Sequence, residues 1–350
     1  MRVKLGDVCE RGTSNLKLSD VSEKNGEFSV FGASGYIGSV DFYQQGYPYV
    51  AVVKDGAGIG RAMLCPGKTS VIGTMQYLLP KDNILPKYLF YVVKYMNLEK
   101  YFTGATIPHI YFKDYKNEEF NFDFWERQVE IVSVLSKCEK VIDLCKQELQ
   151  LLDKLIKARF VELFGDPVSN SYGLPEATLP DLGEFGRGVS KHRPRNDIKL
   201  LGGKYPLIQT GDVANAGLYI TSYSSTYSEL GLKQSKMWDK GTLCITIAAN
   251  IAKTAILEFD ACFPDSVVGF IANERTNNIF VHYWFSFFQA ILESQAPESA
   301  QKNINLKILS ELKVIVPEKR KQDQFASFVK LTDKSEFVER FPELSLFFKA

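Results

Sequence analysis

From Trp125 to Phe164 the chain reads WERQVEIVSVLSKCEKVIDLCKQELQLLDKLIKARFVELF, forty residues without a proline or glycine, stopped by Gly165-Asp166-Pro167. Within it Ile131, Leu135, Cys138, Ile142, Cys145, Leu149, Leu152 and Ile156 recur at alternating spacings of four and three. That spacing keeps one seam of an α-helix facing a partner helix. The seven acidic and seven basic residues of the stretch lie mostly off the seam. The pattern predicts one long helix, extending about 60 Å at 1.5 Å per residue, against about 11 residues for an average helix. A helix of that length suits a spacer between domains.

Outward from the helix, the two flanks repeat one another. Ser70-Val71-Ile72-Gly73 returns 196 residues later as Ser266-Val267-Val268-Gly269. YVAVV (Tyr49–Val53) followed by KDGAGIGRAML matches TLCITI (Thr242–Ile247) followed by AANIAKTAIL, and Arg127-Gln128 matches Lys321-Gln322. Leu5-Gly6-Asp7 pairs with Leu182-Gly183-Glu184 at an offset of 177, which would put about 17 extra residues of the second copy between Gly183 and Tyr205. Copies of this size are two domains of one fold rather than units of a solenoid. The expected fold class is therefore α+β: similar β-rich domains at 1–120 and 166–318, a helical spacer at 121–165, and a second, shorter helical region at 319–350 packing antiparallel to it. In that last region Phe325 and Val329 keep the seam, but Thr332, Glu336 and Glu339 occupy its later positions and Pro342 interrupts, so only about 20 residues, Arg320 to Phe341, suit a helix.

Composition excludes several classes. The 350 residues are 45% hydrophobic and 24% charged, enough for two cores. Net charge is +1, so any nucleic acid must be held by local patches rather than a global field. No apolar run of 18 residues and no apolar leader occur, which predicts a cytoplasmic protein that does not enter a membrane. Six cysteines without a CxxC pair give no zinc ribbon or dithiol centre, and no metal site is expected. There is no P-loop, no H-E-x-x-H and no G-x-S-x-G, and only three histidines. GAGIG at Gly56–Gly60 puts Arg61 where a dinucleotide fingerprint needs its third glycine, so it reads as a turn between strands.

Charge gathers locally. Between Arg187 and Lys204, three Arg and three Lys face one Asp, a local excess of +5 beside His192; between Ala300 and Lys321 the excess is +4. Such loops neutralise phosphates and offer donors to guanine edges. The GATIPHI segment (Gly104–Ile110) and its counterpart at Ala296–Ile304 place hydroxyl and amide side chains after a helix-like stretch, where they can meet phosphate oxygens or simply form turns.

Taken in order, the opening Leu5-Gly6-Asp7, the glycine-rich loop, GATIPHI, RQVEIVSVLSKCEKVI and the ending LLDKLIKARFVELFGDP resemble the DNA specificity subunits of type I restriction-modification systems over nearly the whole chain. The resemblance implies two target recognition domains, each reading one half of a split asymmetric DNA site, with paired helices setting the gap. It implies a chain without a catalytic centre, and no [N/D]-P-P-[Y/F/W] methyltransferase tetrad is present. It implies as partners double-stranded DNA, modification subunits that methylate adenine, and a restriction subunit that translocates and cleaves. S-adenosylmethionine, ATP and Mg²⁺ would then sit on those subunits, and none on this chain. Partner binding falls to the helix face of Ile131, Leu135, Ile142, Leu149, Leu152 and Ile156. The DNA-reading candidates are Lys54, Arg61, Lys68, Thr106, His109 and Lys113 in the first domain. In the second they are Lys191, His192, Arg193, Arg195, Gln209, Asn250, Lys253, Gln301 and Asn303. The alternatives are a DNA-modifying enzyme with unrecognised motifs and an adaptor whose twin domains bind proteins.

Overall fold

The computed structural model describes residues 1–22, 26–104, 108–248, 251–295 and 304–332. The chain forms two compact units, Met1–Val141 and Ile142–Ala350, and the division falls inside the long helix.

In unit 1, β1 (Arg2–Lys4), α1 (Leu5–Val8) and β2 (Cys9–Thr13) are followed by α2 (Leu18–Ser22), β3 (Phe28–Gly32) and β4 (Gly35–Val40). Then come β5 (Tyr49–Val53), β6 (Ala62–Cys65), β7 (Ser70–Val71), β8 (Met75–Pro80), α3 (Pro86–Met96), α4 (Phe112–Tyr115) and β9 (Glu119–Asn121). The central antiparallel sheet has the order β2-β8-β5-β6, a second sheet runs β4-β3-β7, and β1 pairs with β9. The unbroken apolar run of β5 is explained by burial on both faces. Val50 and Val52 pack with Leu89 and Val93 of α3, while Tyr49, Ala51 and Val53 turn the other way onto Val71 and Tyr77.

Helix α5 (Trp125–Phe164) is continuous over the forty residues that the spacing predicts. In unit 1 its first turns set Ile131 and Val132 against the core. In unit 2 its last turns bury Ile156, Phe160 and Phe164 completely or nearly so.

Unit 2 continues with β10 (Glu176–Ala177), α6 (Leu179–Leu182), β11 (Gly183–Arg187), β12 (Leu201–Leu207), α7 (Thr210–Asn215), β13 (Tyr219–Ile220), β14 (Ser225–Tyr227), α8 (Glu229–Lys233) and β15 (Met237–Trp238). It ends with β16 (Leu243–Thr246), β17 (Thr254–Leu257), β18 (Ala261–Cys262), β19 (Val267–Ala272), α9 (Asn278–Gln295), α10 (Leu306–Glu311), β20 (Val314–Ile315) and α11 (Lys319–Leu331). Its sheet order, β11-β19-β16-β17-β13, repeats that of unit 1 strand for strand and adds β13 at the edge. Leu243 and Ile245 of β16 pack with Phe280 and Trp284 of α9, as Val50 and Val52 do with α3.

Two sequence expectations are corrected. The front of the repeats aligns not through Leu182-Gly183-Glu184 but three residues earlier. Asp7 and Asp181 each accept a hydrogen bond from the backbone N–H three residues before, Lys4 and Thr178, both at 3.0 Å, at the start of α1 and α6. The extra residues then lie elsewhere. The β2–β3 and β11–β12 connections are nearly equal, residues 14–27 and 188–200, whereas β3–β5 spans only residues 33–48 against residues 208–242 between β12 and β16. The basic loop thus replaces a segment of unit 1 rather than being inserted.

The seam reading is also corrected and extended: of the residues expected to bind a partner, Ile156 is buried in the core of unit 2 and Ile131 packs against that of unit 1, because both ends of α5 dock on their own units, which leaves the middle of the helix for a partner. Val134, Val141, Leu144, Leu151 and Leu155, exposed by 49 to 62%, form a second apolar row one residue ahead of the seam, and Leu135 and Cys138 are exposed with them. The apolar face of mid-α5 is therefore about two rows wide. Helix α11 buries Phe325 and Val329, with Phe325 edge-on to Phe160 and Phe164 at 5.3 and 5.8 Å. The later seam positions Glu336 and Glu339, and Pro342, lie outside the described residues.

Candidate nucleic-acid interface

One turn recurs in both units and carries a basic residue in each. After β5, the Val53 N–H donates to the Arg61 carbonyl at 3.0 Å and the Gly60 N–H to the Val53 carbonyl at 2.8 Å. Gly60, at φ +79°, lies so close to the backbone of Leu98 and Glu99 that a Cβ would meet the Glu99 nitrogen at 2.4 Å. After β16, the Thr246 N–H donates to the Lys253 carbonyl and the Ala252 N–H to the Thr246 carbonyl, both at 2.9 Å. Lys253 thus holds the place of Arg61, and Ala252, at φ +56°, that of Gly60.

In unit 1 the chain 108–110 is stitched to this turn. Gly56 N–H donates to the Pro108 carbonyl at 3.0 Å and Ile110 N–H to the Lys54 carbonyl at 2.9 Å. This brings His109 Nδ1 to 2.7 Å from Asp55 Oδ1, while Lys54 Nζ sits 2.6 Å from Asp55 Oδ2. Burial pushes the Asp55 carboxyl up, but hydrogen bonds from Lys54 and His109 outweigh it and hold the group below its ordinary range. The His109 ring stacks on Tyr111, and Lys113 Nζ lies 5.3 Å from the Tyr111 ring centre. Arg61 reaches the β3–β4 turn, donating to the Ala33 carbonyl at 3.3 Å. Lys54, Arg61, His109 and Lys113 are therefore brought to one end of the β5–β6 pair. Lys68 is not: it follows Cys65, which pairs with Tyr49 at the opposite end of β5. Thr106 lies outside the described residues.

In unit 2, Ile304 N–H donates to the Ile247 carbonyl at 2.9 Å, the same stitch as Ile110 to Lys54. Asn250, Gln301 and Asn303 lie outside the described residues. Beside the stitch opens a cleft of about 770 Å³, with Leu207, Tyr227, Ile247 and Ile304 as apolar lining and Arg187, Arg195, Asn196, Gln209, Asp265 and Asn305 as polar lining. Asp265 organises the basic loop: Arg195 Nη2 is 2.5 Å from Oδ1 and Arg193 Nη2 3.4 Å from Oδ2. Arg193 also donates to the carbonyls of Ser190 and His192 at 2.6 and 2.8 Å. His192 Nε2 lies 3.1 Å from Asp197, and the backbone N–H groups of Lys191 and His192 reach Gln234. Gln209 Nε2 donates to Ser225 Oγ at 3.2 Å, and Lys253 Nζ to Gln289 Oε1 at 3.3 Å. The cleft gathers Arg195 and Gln209; Lys191, His192, Arg193 and Lys253 are outside its lining.

Sequence reasoning missed Asp55, Tyr111 and Asp265. Asp55 was legible only as the acid next to Lys54, and Asp265 lies 70 residues from Arg195, beyond any local pattern. Among the described residues, no three His, Cys, Asp or Glu side chains are placed to hold a metal ion, and no helix is long and apolar enough to cross a membrane.

A family model described as the type I restriction modification DNA specificity domain matches residues 1–154 and again residues 176–340. The type I restriction enzyme MjaX specificity subunit of Methanocaldococcus jannaschii is 22% identical over 292 residues, covering 79% of this chain and 68% of the relative. The MjaIX specificity subunit of the same organism is 26% identical over 179 residues, 46% of this chain and 40% of the relative. Among solved structures, the S subunit of a type I restriction-modification system from M. genitalium aligns over 99% of this chain and 93% of that one, with a TM-score of 0.62 and 17% identity, a likeness of fold.

Proposed function

The chain belongs to the type I restriction-modification DNA specificity domain family, and from that premise we propose that each unit reads one half of a bipartite DNA site while α5 sets the gap. The observation that carries this reading is the shared turn. Units sharing four strands in the same order present Arg61 and Lys253 at one equivalent position with different neighbours, Arg61 reaching the Ala33 carbonyl and Lys253 the Gln289 side chain. Equivalent scaffolds with different side chains suit two half-sites of different sequence.

In this reading Lys54, Arg61, His109 and Lys113 meet DNA in unit 1, and Arg195, Gln209 and Lys253 in unit 2. Lys68, Thr106, Lys191, His192, Arg193, Asn250, Gln301 and Asn303 remain proposed contacts on the same basis as before. The two apolar rows of mid-α5 support docking of helical modification subunits there, because exposed leucines and valines at heptad spacing seek partner helices. Methyl transfer, ATP hydrolysis and cleavage then belong to modification and restriction subunits, which would bind S-adenosylmethionine, ATP and Mg²⁺.

The test is to incubate the chain with DNA, Mg²⁺ and S-adenosylmethionine, alone and with its modification subunits. Site-specific methylation only in the presence of those subunits is expected; methylation or cutting by the chain alone would favour a DNA-modifying enzyme. The affinity of the assembled complex for DNA should also fall steeply with salt, with a log–log slope of about −0.9 per phosphate contacted. A flat response would favour the protein adaptor.

A further inference from the structure

Two glutamines are completely buried, one in the first turn of α5 and one in the first turn of α11. Gln128 Oε1 accepts the Leu85 N–H at 2.9 Å, and its Nε2 donates to the carbonyls of Asn83 at 3.0 Å and Asp123 at 2.9 Å. Gln322 Oε1 accepts from Thr276 Oγ1 at 2.8 Å, and its Nε2 donates to the carbonyls of Arg275 at 3.0 Å and Pro317 at 2.8 Å. The partners correspond. In each unit one carbonyl belongs to the residue five before the glutamine, and the other partners lie in the loop ahead of the domain helix, α3 or α9.

Each carboxamide thus makes three bonds inside its own unit and ties three chain segments together. Its neighbours on the helices, Ile131 and Val132 in one unit and Phe325 and Val329 in the other, make apolar contacts. Apolar burial is non-directional and tolerates sliding and tilting, whereas a satisfied buried amide fixes direction. The angle at which α5 leaves unit 1 therefore hangs on Gln128. The lever is long: a swing of about 5° moves a point about 40 Å along a helix by roughly 3.4 Å, about one base-pair step.

We propose that Gln128 and Gln322 are positioning residues, twin clamps that fix each helix to its DNA-reading unit, and that Gln128 makes the gap preference sharp. This rests on the bipartite reading above. Neither glutamine is assigned a DNA contact.

The experiment uses the full chain assembled with its modification subunits, and duplexes in which the two half-sites are constant and the gap varies by one base pair either way. The wild type is expected to prefer one gap by about tenfold or more over its neighbours. Gln128→Met, similar in length but unable to make the three bonds, should bind the favoured gap within about threefold of wild type while its preference over the neighbouring gaps falls below about threefold. Gln128→Glu keeps the bond from Leu85 and loses the two donated ones. It should blur the preference to an intermediate degree, and it carries the test if Gln128→Met does not fold. Leu89→Ala, in the core of the same unit, controls for lost stability and should leave the ratio unchanged. An unchanged ratio in both Gln128 variants, or an equal blurring in Leu89→Ala at matched loss of melting temperature, would overturn the clamp. A wild type with no gap preference would instead overturn the bipartite reading itself.

Discussion

Gly60 and Ala252 occupy one turn in two settings. At Gly60 a methyl would strike the backbone of Glu99, so Gly60→Ala should cost about 1–3 kcal/mol or more in urea denaturation, whereas Ala252→Gly should change stability by less than about 1 kcal/mol. His282, on α9, has its Nδ1 2.9 Å from Thr254 Oγ1, and burial, outweighing a hydrogen bond with the Thr254 backbone, pushes its pKa down to about 4 from an ordinary 6.5. The fold keeps the ring neutral while the unfolded chain takes up a proton. Stability should therefore be fully present above pH 6.5 and fall as pH drops from 6.5 towards about 4. His282→Gln should flatten that part of the pH–stability curve. Asp265 holds Arg193 and Arg195. Asp265→Ala should therefore loosen both and lower base discrimination in the second half-site by about fivefold or more, since a bidentate pair contributes about 1–3 kcal/mol. Binding to an array of single-base variants of the site checks this. The basic residues of the loop were legible as charge, but the carboxylate that aims them was not, because the β19 segment returns to the loop only through the fold.

Helix α5 was legible to its ends because spacing, length and the Gly-Asp-Pro stop all agree. Deleting Leu149–Leu155 removes one heptad, keeps the seam in register and shortens the helix by about 10 Å. The preferred gap should shrink by about three base pairs, and DNA selection from a library of gap lengths measures it; retention of the original gap would show that the helix does not set spacing. The repeat was equally legible where burial constrains it, as at YVAVV and TLCITI, since a strand buried on both faces must stay apolar. It was misaligned at the front. Leu-Gly-acid occurs twice by composition, while the matching elements are four-residue helices that share a buried first leucine, Leu5 or Leu179, and the bond to Asp7 or Asp181, but are preceded by Lys4 in one copy and Thr178 in the other. The second apolar row of α5 escaped notice because Lys137 and Glu148 break its continuity in sequence.

For the whole molecule, a net charge of +1 gives no global field, and the duplicated scaffold presents one basic residue on the same turn of each unit, Arg61 and Lys253. On the bipartite reading these two act as separate readers of one duplex, each answerable for its own half-site. Genome-wide mapping of methylated adenines, with the chain and its modification subunits expressed in a methylation-free host, separates the two halves. Arg61→Ala should relax bases in one half of a gapped motif and Lys253→Ala bases in the other, leaving the gap unchanged. A continuous motif, or one in which either substitution relaxes both halves alike, would contradict the claim.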